Sequence, residues 1–215
     1  DGTDDYLSFT SGLSELQFDG DFCIEAFFKK SGNGDSGYDG LVSLGTNGSG
    51  NDGWFLETST SRGIQFRANG SEILSRNNTT TTTALTDGNW HHVAVTRDGN
   101  TTRLFLDGSQ LTSTTSTFTI PTTATKATIG TYSLSNAPVY EFKGTISNLR
   151  IVKGSSVYTS SFTVPSTPLS SITNTKLLCC QSSSSATDTT VTPGTLSAYS
   201  SPFAGRFTVN GEDVD

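Results

Sequence analysis

Apolar and polar side chains alternate along most of this chain, a period of two that belongs to strands rather than helices. The run Asp5-Tyr6-Leu7-Ser8-Phe9 opens the pattern, and Leu13 to Phe18 leads into a turn at Gly20-Asp21. In the next segment Phe22, Ile24, Ala26 and Phe28 alternate with Cys23, Glu25 and Phe27. Apolar groups fall on both faces, as expected of a central strand packed on two sides. Leu41–Leu44, Trp54–Thr58, Gly63–Ala68 and Ser71–Leu74 continue the series, with Asn69-Gly70 as a tight hairpin turn. The glycine- and aspartate-rich segments Ser31–Gly40 and Thr46–Gly53 interrupt the series as loops.

The most regular segment runs from Asp87 to Gln110. Val93 and Val95 alternate with Ala94 and Thr96, the chain turns at Asp98-Gly99-Asn100, and Leu104 and Leu106 alternate with Arg103 and Phe105 before Asp107-Gly108 turns it again. That is a β-meander. Trp90 opens its first strand, and a ring of that size is expected between two sheets. Phe142 to Ile151 reads as a late strand with a bulge near Asn148. No stretch carries a 3.6-residue period with caps, so the expected fold is all-β, a two-sheet antiparallel sandwich. Its sandwich is expected to span residues 1–181, with a final edge strand near 175–181. Residues 182–215 read as a Ser/Thr-rich linker and tail that leads to or packs on a neighbour, or packs on its own sandwich, with Ala198-Tyr199, Phe203 and Phe207 spaced as anchors.

Composition narrows the function. Only 15% of residues are charged and about three in ten are serine or threonine, so the chain is polar without the charge density of a disordered one. The net charge of −7 argues against a phosphate-tracking groove, hence no nucleic-acid partner. No long apolar run predicts membrane insertion, and no signal peptide is visible. The chain begins at Asp1 and lacks methionine, so a processed piece of something longer is expected. Five Asn-x-Ser/Thr triplets (Asn47, Asn69, Asn77, Asn78, Asn100) are expected to be unmodified in so Ser/Thr-rich a sequence.

The three cysteines are expected as small buried hydrophobes kept reduced. Cys179 and Cys180 are adjacent; on a strand they point to opposite faces, and a bridge between them needs strained geometry. No paired Cys/His spacing suggests zinc. Likewise, His91 and His92 face opposite ways, and Glu25 reads as a strand-face carboxylate bonded to a neighbour. Glutamates 15, 25, 57, 72, 141 and 212 are each isolated, so the paired carboxylates that glycoside hydrolysis uses are not in view.

Trp90-His91-His92-Val93-Ala94-Val95-Thr96-Arg97-Asp98-Gly99 followed by Arg103-Leu104-Phe105-Leu106-Asp107-Gly108 resembles the laminin-G-like, concanavalin A-like jelly-roll family. Asp21 to Lys29 resembles the family's early strand, with Phe27 where tryptophan is usual, and Gly144 to Ile151 resembles its late strand. Val157-Tyr158-Thr159 to Pro165 and Thr175 to Gln181 look like the version in virion proteins of marine bacteriophages.

The resemblance implies a non-enzymatic structural or adhesion module of a phage particle, capsid- or tail-associated. Its expected partners are other virion proteins and a host-surface glycan, in a homo-oligomer or multicopy assembly. The alternative is a secreted carbohydrate-binding module or adhesin that uses calcium. Laminin-G-like domains often hold that ion at the sandwich rim, and Asp35, Asp39 and Asp52 in the two acidic loops are the candidate ligands here. The same loop residues also make turns.

Overall fold

The computed structural model describes residues 5–34, 37–45, 52–76, 85–134, 137–200, 208–209 and 212–213. Its strands are β1 (Tyr6–Phe9), β2 (Phe22–Lys30), β3 (Tyr38–Leu44), β4 (Trp54–Ser59), β5 (Gly63–Ala68), β6 (Ser71–Arg76), β7 (His91–Asp98), β8 (Thr101–Leu106) and β9 (Ser109–Thr115). There follow β10 (Ala127–Ile129), β11 (Tyr132–Leu134), β12 (Ala137–Val139), β13 (Gly144–Lys153), β14 (Thr175–Cys179), β15 (Thr189–Val191), β16 (Ser197–Tyr199), β17 (Thr208–Val209) and β18 (Glu212–Asp213). Two seven-stranded antiparallel sheets result, one ordered β16-β1-β10-β3-β4-β5-β6 and the other β15-β14-β13-β2-β7-β8-β9. The fold is the expected jelly-roll sandwich.

Alternation assigns the core. Leu7, Phe9, Val42, Leu44, Trp54, Leu56, Ile64 and Phe66 from the first sheet meet Phe22, Ile24, Phe28, Val93, Val95, Leu104, Ile151 and Leu177 from the second. Trp54, fully buried, stacks on Phe18 at 5.4 Å and donates its indole N–H to the Leu16 carbonyl at 2.8 Å. To present that carbonyl, Leu13–Leu16 forms a turn of 3₁₀ helix, entered through Gly12 at φ 67°. Trp90, expected between the sheets, instead packs on their outside with Phe27, Leu169 and Leu178. The period of two explains why: Val93 and Val95 point inward, so even-numbered positions of this run point out.

Asn69-Gly70 (φ 48° and 72°) and Asp107-Gly108 (φ 49° and 74°) are two-residue hairpin turns with both residues left-handed. The bulge near Asn148 is present: β2–β13 pairing shifts between Ser147 and Arg150, and Asn148 has φ 50°.

Two further features cover the outside of the sheets and their edges. Residues 154–172 run as a strap over the outer face of the second sheet, where Tyr158 and Phe162 stack on each other and Phe162 meets Phe105 at 5.4 Å. The strap passes so near the β8–β9 turn that a side chain at Gly108 would strike the Phe162 carbonyl. In addition, residues 182–199 supply edge strands to the sandwich: β15 pairs with β14, and β16, which holds the expected anchor Ala198-Tyr199, pairs with β1. Tyr199 then stacks on its cross-strand partner Tyr6 at 4.5 Å, with Lys126 over both rings. Phe203 and Phe207, expected to help anchor the tail, lie outside the described residues.

Candidate functional site

The acidic loops come first, because the sequence placed metal candidates there. Asp35 lies outside the described residues. Asp39 sits on β3 with no exposed surface, its Oδ2 2.7 Å from the Lys30 ammonium and its Oδ1 accepting the Gly34 N–H at 2.7 Å. Lys30 also donates to Thr58 Oγ1 and Asn33 Oδ1. A calcium ion at this carboxylate would have to share it with that ammonium. Asp52 is buried, close to Gly45. Among the described residues no group of three His, Cys, Asp or Glu could hold a metal.

Beneath the strap lies a closed polar network. Glu25, without exposed surface, accepts from Arg150 Nε at 2.8 Å and Nη2 at 2.6 Å through Oε1. Its Oε2 accepts from the Tyr158 hydroxyl at 2.9 Å and lies 3.1 Å from His92 Nε2. Burial pushes the Glu25 carboxyl up, but the His92 hydrogen bond and the Arg150 charge outweigh it and hold the group below the usual carboxylate range. Every lone pair has a donor, so this is cement between sheet and strap. His91 faces the other way and bridges Asp107 (2.8 Å) and Asp87 (3.1 Å). Glu25 and His91 are satisfied structural groups, as read from sequence, whereas His92 is bonded through Nε2 alone and its buried Nδ1 has no partner.

On the outer face of the first sheet, Glu57 pairs across the β4–β5 ladder with Gln65, which hydrogen-bonds to it. Phe55 packs on Tyr132 at 4.3 Å, and the Arg67 guanidinium lies over the Phe55 ring. Burial pushes the Glu57 carboxyl up to about 8, against the attraction of Arg67 and Arg62. The group is enclosed, with 2% of its surface exposed.

The open site is elsewhere. Where the edge strands β6 and β9 face each other, a cleft of about 550 Å³ lies between the sheets. That falls within the ~300–1,000 Å³ of small-ligand sites. The Asn69 turn and β6 form one wall; Thr114 and residues 116–119 form the other. Glu72 is the one carboxylate among its lining residues, Phe118 the one aromatic ring, and most of the rest are hydroxyl or amide side chains. Phe118 is held by the Arg97 guanidinium, 4.7 Å over its ring, and by edge contacts to Phe22 and Phe66. Glu72 accepts the Ser75 hydroxyl at 2.6 Å and pairs with Arg62, and together these hold its carboxyl below the ordinary range. The cleft therefore offers several hydroxyl and amide groups and one fixed aromatic surface, while the Glu72 carboxylate at its rim is taken up by Ser75 and Arg62. Sequence reading missed it, since β6 and the 116–119 segment meet only in three dimensions; the alternation of Phe118 and Ile120 was the available signal.

Residues 1–156 match the family described as the Concanavalin A-like lectin/glucanases superfamily, laminin G type. The chain belongs to this superfamily. No curated protein matches it. Among solved structures it is similar to the CBM40 of a Ruminococcus gnavus sialidase bound to α2,3-sialyllactose, with 15% identity over 61% of this chain and 74% of that one, TM-score 0.50. It is also similar to mouse laminin α1 domains LG4-5, with 18% identity, 73% and 42% coverage and TM-score 0.51. The NanB sialidase of Streptococcus pneumoniae gives 16%, 74%, 26% and 0.55. At such identities the likeness is one of fold. This superfamily member thus shares its sandwich with proteins that use it in different ways, and its own cleft must supply the chemistry.

Proposed function

We propose that this concanavalin A-like chain is a non-enzymatic glycan-binding adhesion module, carried in many copies on the exterior of a bacteriophage particle. The observation that carries the glycan reading is the β6–β9 cleft. A sugar presents hydroxyls at its rim and an apolar C–H face, which an aromatic ring and a set of hydroxyl, amide and carboxylate groups complement. No lysine or arginine is among the cleft's lining residues to hold an acidic sugar, so neutral glycans are the class. Hydrolysis needs two carboxylates about 5–10 Å apart flanking the bond, and among its lining residues the cleft has only Glu72. The family relationship and the carbohydrate-binding proteins that share the fold support the same reading.

The particle setting rests on the sequence resemblance of Val157–Pro165 and Thr175–Gln181 to phage virion versions of the domain, on the low charge, and on the abundant serine and threonine. Other virion proteins are then its neighbours.

A glycan array probed with the chain on a multivalent scaffold tests the binding. Neutral glycans are expected to bind, undiminished by a chelator and without hydrolysis. Phe118→Ala should weaken binding about tenfold, the ~1.4 kcal/mol of one aromatic contact. Glu72→Gln, at a more exposed position, should weaken it with the melting temperature unchanged. Binding lost on chelation would favour the calcium-dependent adhesin; no binding to any glycan would overturn the reading. Mass spectrometry of purified particles tests the setting, and peptides confined to a cell-surface fraction would overturn it.

A further inference from the structure

β14 ends at Cys179, whose side chain enters the core between the sheets. On a continuing strand Cys180 would point away. It does not, because Cys180 leaves the strand at φ 60°, and its side chain packs against the same core. The two sulfurs are 3.5 Å apart. Cys179 is fully buried, whereas Cys180 keeps part of its surface in solvent. Cys23, the third thiol, sits on the opposite face of its sheet beside Glu25.

The peptide that follows the pair, Cys180–Gln181, holds other elements. The Cys180 carbonyl accepts the Asn148 N–H at 2.9 Å and the Ser147 hydroxyl at 3.1 Å, fixing the β13 bulge. Gln181 donates to Asn148 Oδ1 at 2.8 Å and to the Leu169 carbonyl at 2.7 Å, tying down the strap.

We propose that Cys179 and Cys180 form a redox-active vicinal dithiol, a modification site that closes reversibly to a disulfide when the chain meets an oxidising small-molecule disulfide. The Cys180 thiolate, the accessible one, attacks the small disulfide, breaks its S–S bond and expels one thiolate. Cys179 gives its proton to solvent, and its sulfur attacks Cys180 Sγ in the mixed disulfide and expels the second. Two electrons and two protons pass from the pair to the small disulfide, which becomes two thiols. The order follows from access and from acidity: the hydrogen bond with Cys180 and burial push the Cys179 thiol up, so it reacts second, at an adjacent sulfur. Adjacent Cα atoms are about 3.8 Å apart, less than the ~4.4–6.8 Å of ordinary disulfides. The bond is therefore strained, and strained disulfides are the readily reduced ones. Closure twists the 179–180 peptide and so re-aims the adjoining one that carries the Cys180 carbonyl, and oxidation loosens the strap.

The test incubates the folded chain with oxidised glutathione, quenches with acid, denatures, and labels free thiols with N-ethylmaleimide. One of the three cysteines, Cys23, is expected to take label, with no glutathione retained, and dithiothreitol should restore three labels. A glutathione adduct persisting on the wild-type chain, three labels, or protection that includes Cys23 would each overturn the proposal. Cys179→Ser should trap a single glutathione on Cys180, and Cys180→Ser should take none. Glycan binding does not enter this readout, so its failure leaves the functional reading standing.

Discussion

Glu57 carries a proton that its environment imposes. Taking its charge out of water costs more than Arg67 and Arg62 return, so the carboxyl stays neutral up to about pH 8. The sign follows from proton counts. Between the ordinary carboxylate range and pH 8 the folded chain holds a proton that the unfolded chain has released, so this group's contribution to stability falls as pH rises through that window and levels off above it. Glu57→Gln keeps the shape and the partner Gln65 but cannot ionise. It should match the wild type in urea unfolding at pH 4 and exceed it by about 1–3 kcal/mol at pH 8. Equal stability at both values would mean that Glu57 is ionised in the fold. Glu25 is the opposite case on the other sheet, ionised because Arg150, Tyr158 and His92 surround it.

Among the elements, the strap is hydrogen-bonded along its length, from Gly154 and Tyr158 to Phe162 and Ser170, and Asn148 ties its Leu169 end to Gln181. Its side-chain oxygen accepts the Leu169 N–H and the Gln181 amide, both at 2.8 Å, from a left-handed bulge position that asparagine tolerates. Asn148→Ala leaves the buried Leu169 N–H unpaired, removes one of the Gln181 amide's two bonds, and places a side chain with no local hydrogen bond at positive φ. A loss of about 2–4 kcal/mol is expected. Limited proteolysis should then cut within 154–172 well before the sheets open; cleavage no faster than in the wild type would show that the aromatic contacts of Tyr158 and Phe162 suffice. The bulge itself was legible in the sequence as a slip in the Phe142–Ile151 alternation, and so were the meanders, because Asn69-Gly70 and Asp107-Gly108 specify their turns locally. The strap, β15 and β16 were not. Their partners lie tens or hundreds of residues away, and β16 is three residues with one large side chain, Tyr199, whose partner is Tyr6. Trp90 misled because size suggested the core, while the two-residue period of its own strand placed it outside. Asp39 read as a free loop acid because Lys30, its partner, belongs to a different strand. The Cys179–Cys180 pair was read by strand alternation, which fails at the one residue that turns left-handed.

At the scale of the molecule, the strap closes the outer face of one sheet, and the rings and ladder side chains of the other are packed around Glu57, so the β6–β9 edge is where the sandwich opens between its sheets. A cleft of about 550 Å³ takes a sugar or two, and with one ring and one carboxylate the affinity per copy is expected near a millimolar Kd. That is too weak for adhesion by a single chain, and it is the reason the proposed setting is a repeating particle surface. Linked copies that reach the same glycan-coated surface gain about 10²–10⁴ in avidity without any new contact. The net charge of −7 keeps neighbouring copies soluble and dispersed and, because neutral sugars carry no counter-charge, adds nothing to the binding itself. Two results therefore belong together. A trimeric scaffold carrying this chain should hold a glycan-coated sensor at least a hundredfold more tightly than the single chain, and the dissociation rate should barely change between 50 and 500 mM salt. A single chain that already binds tightly, with no gain on trimerisation, would remove the need for multicopy display. A steep salt dependence would instead point to a charged ligand, for which the cleft lining supplies no lysine or arginine.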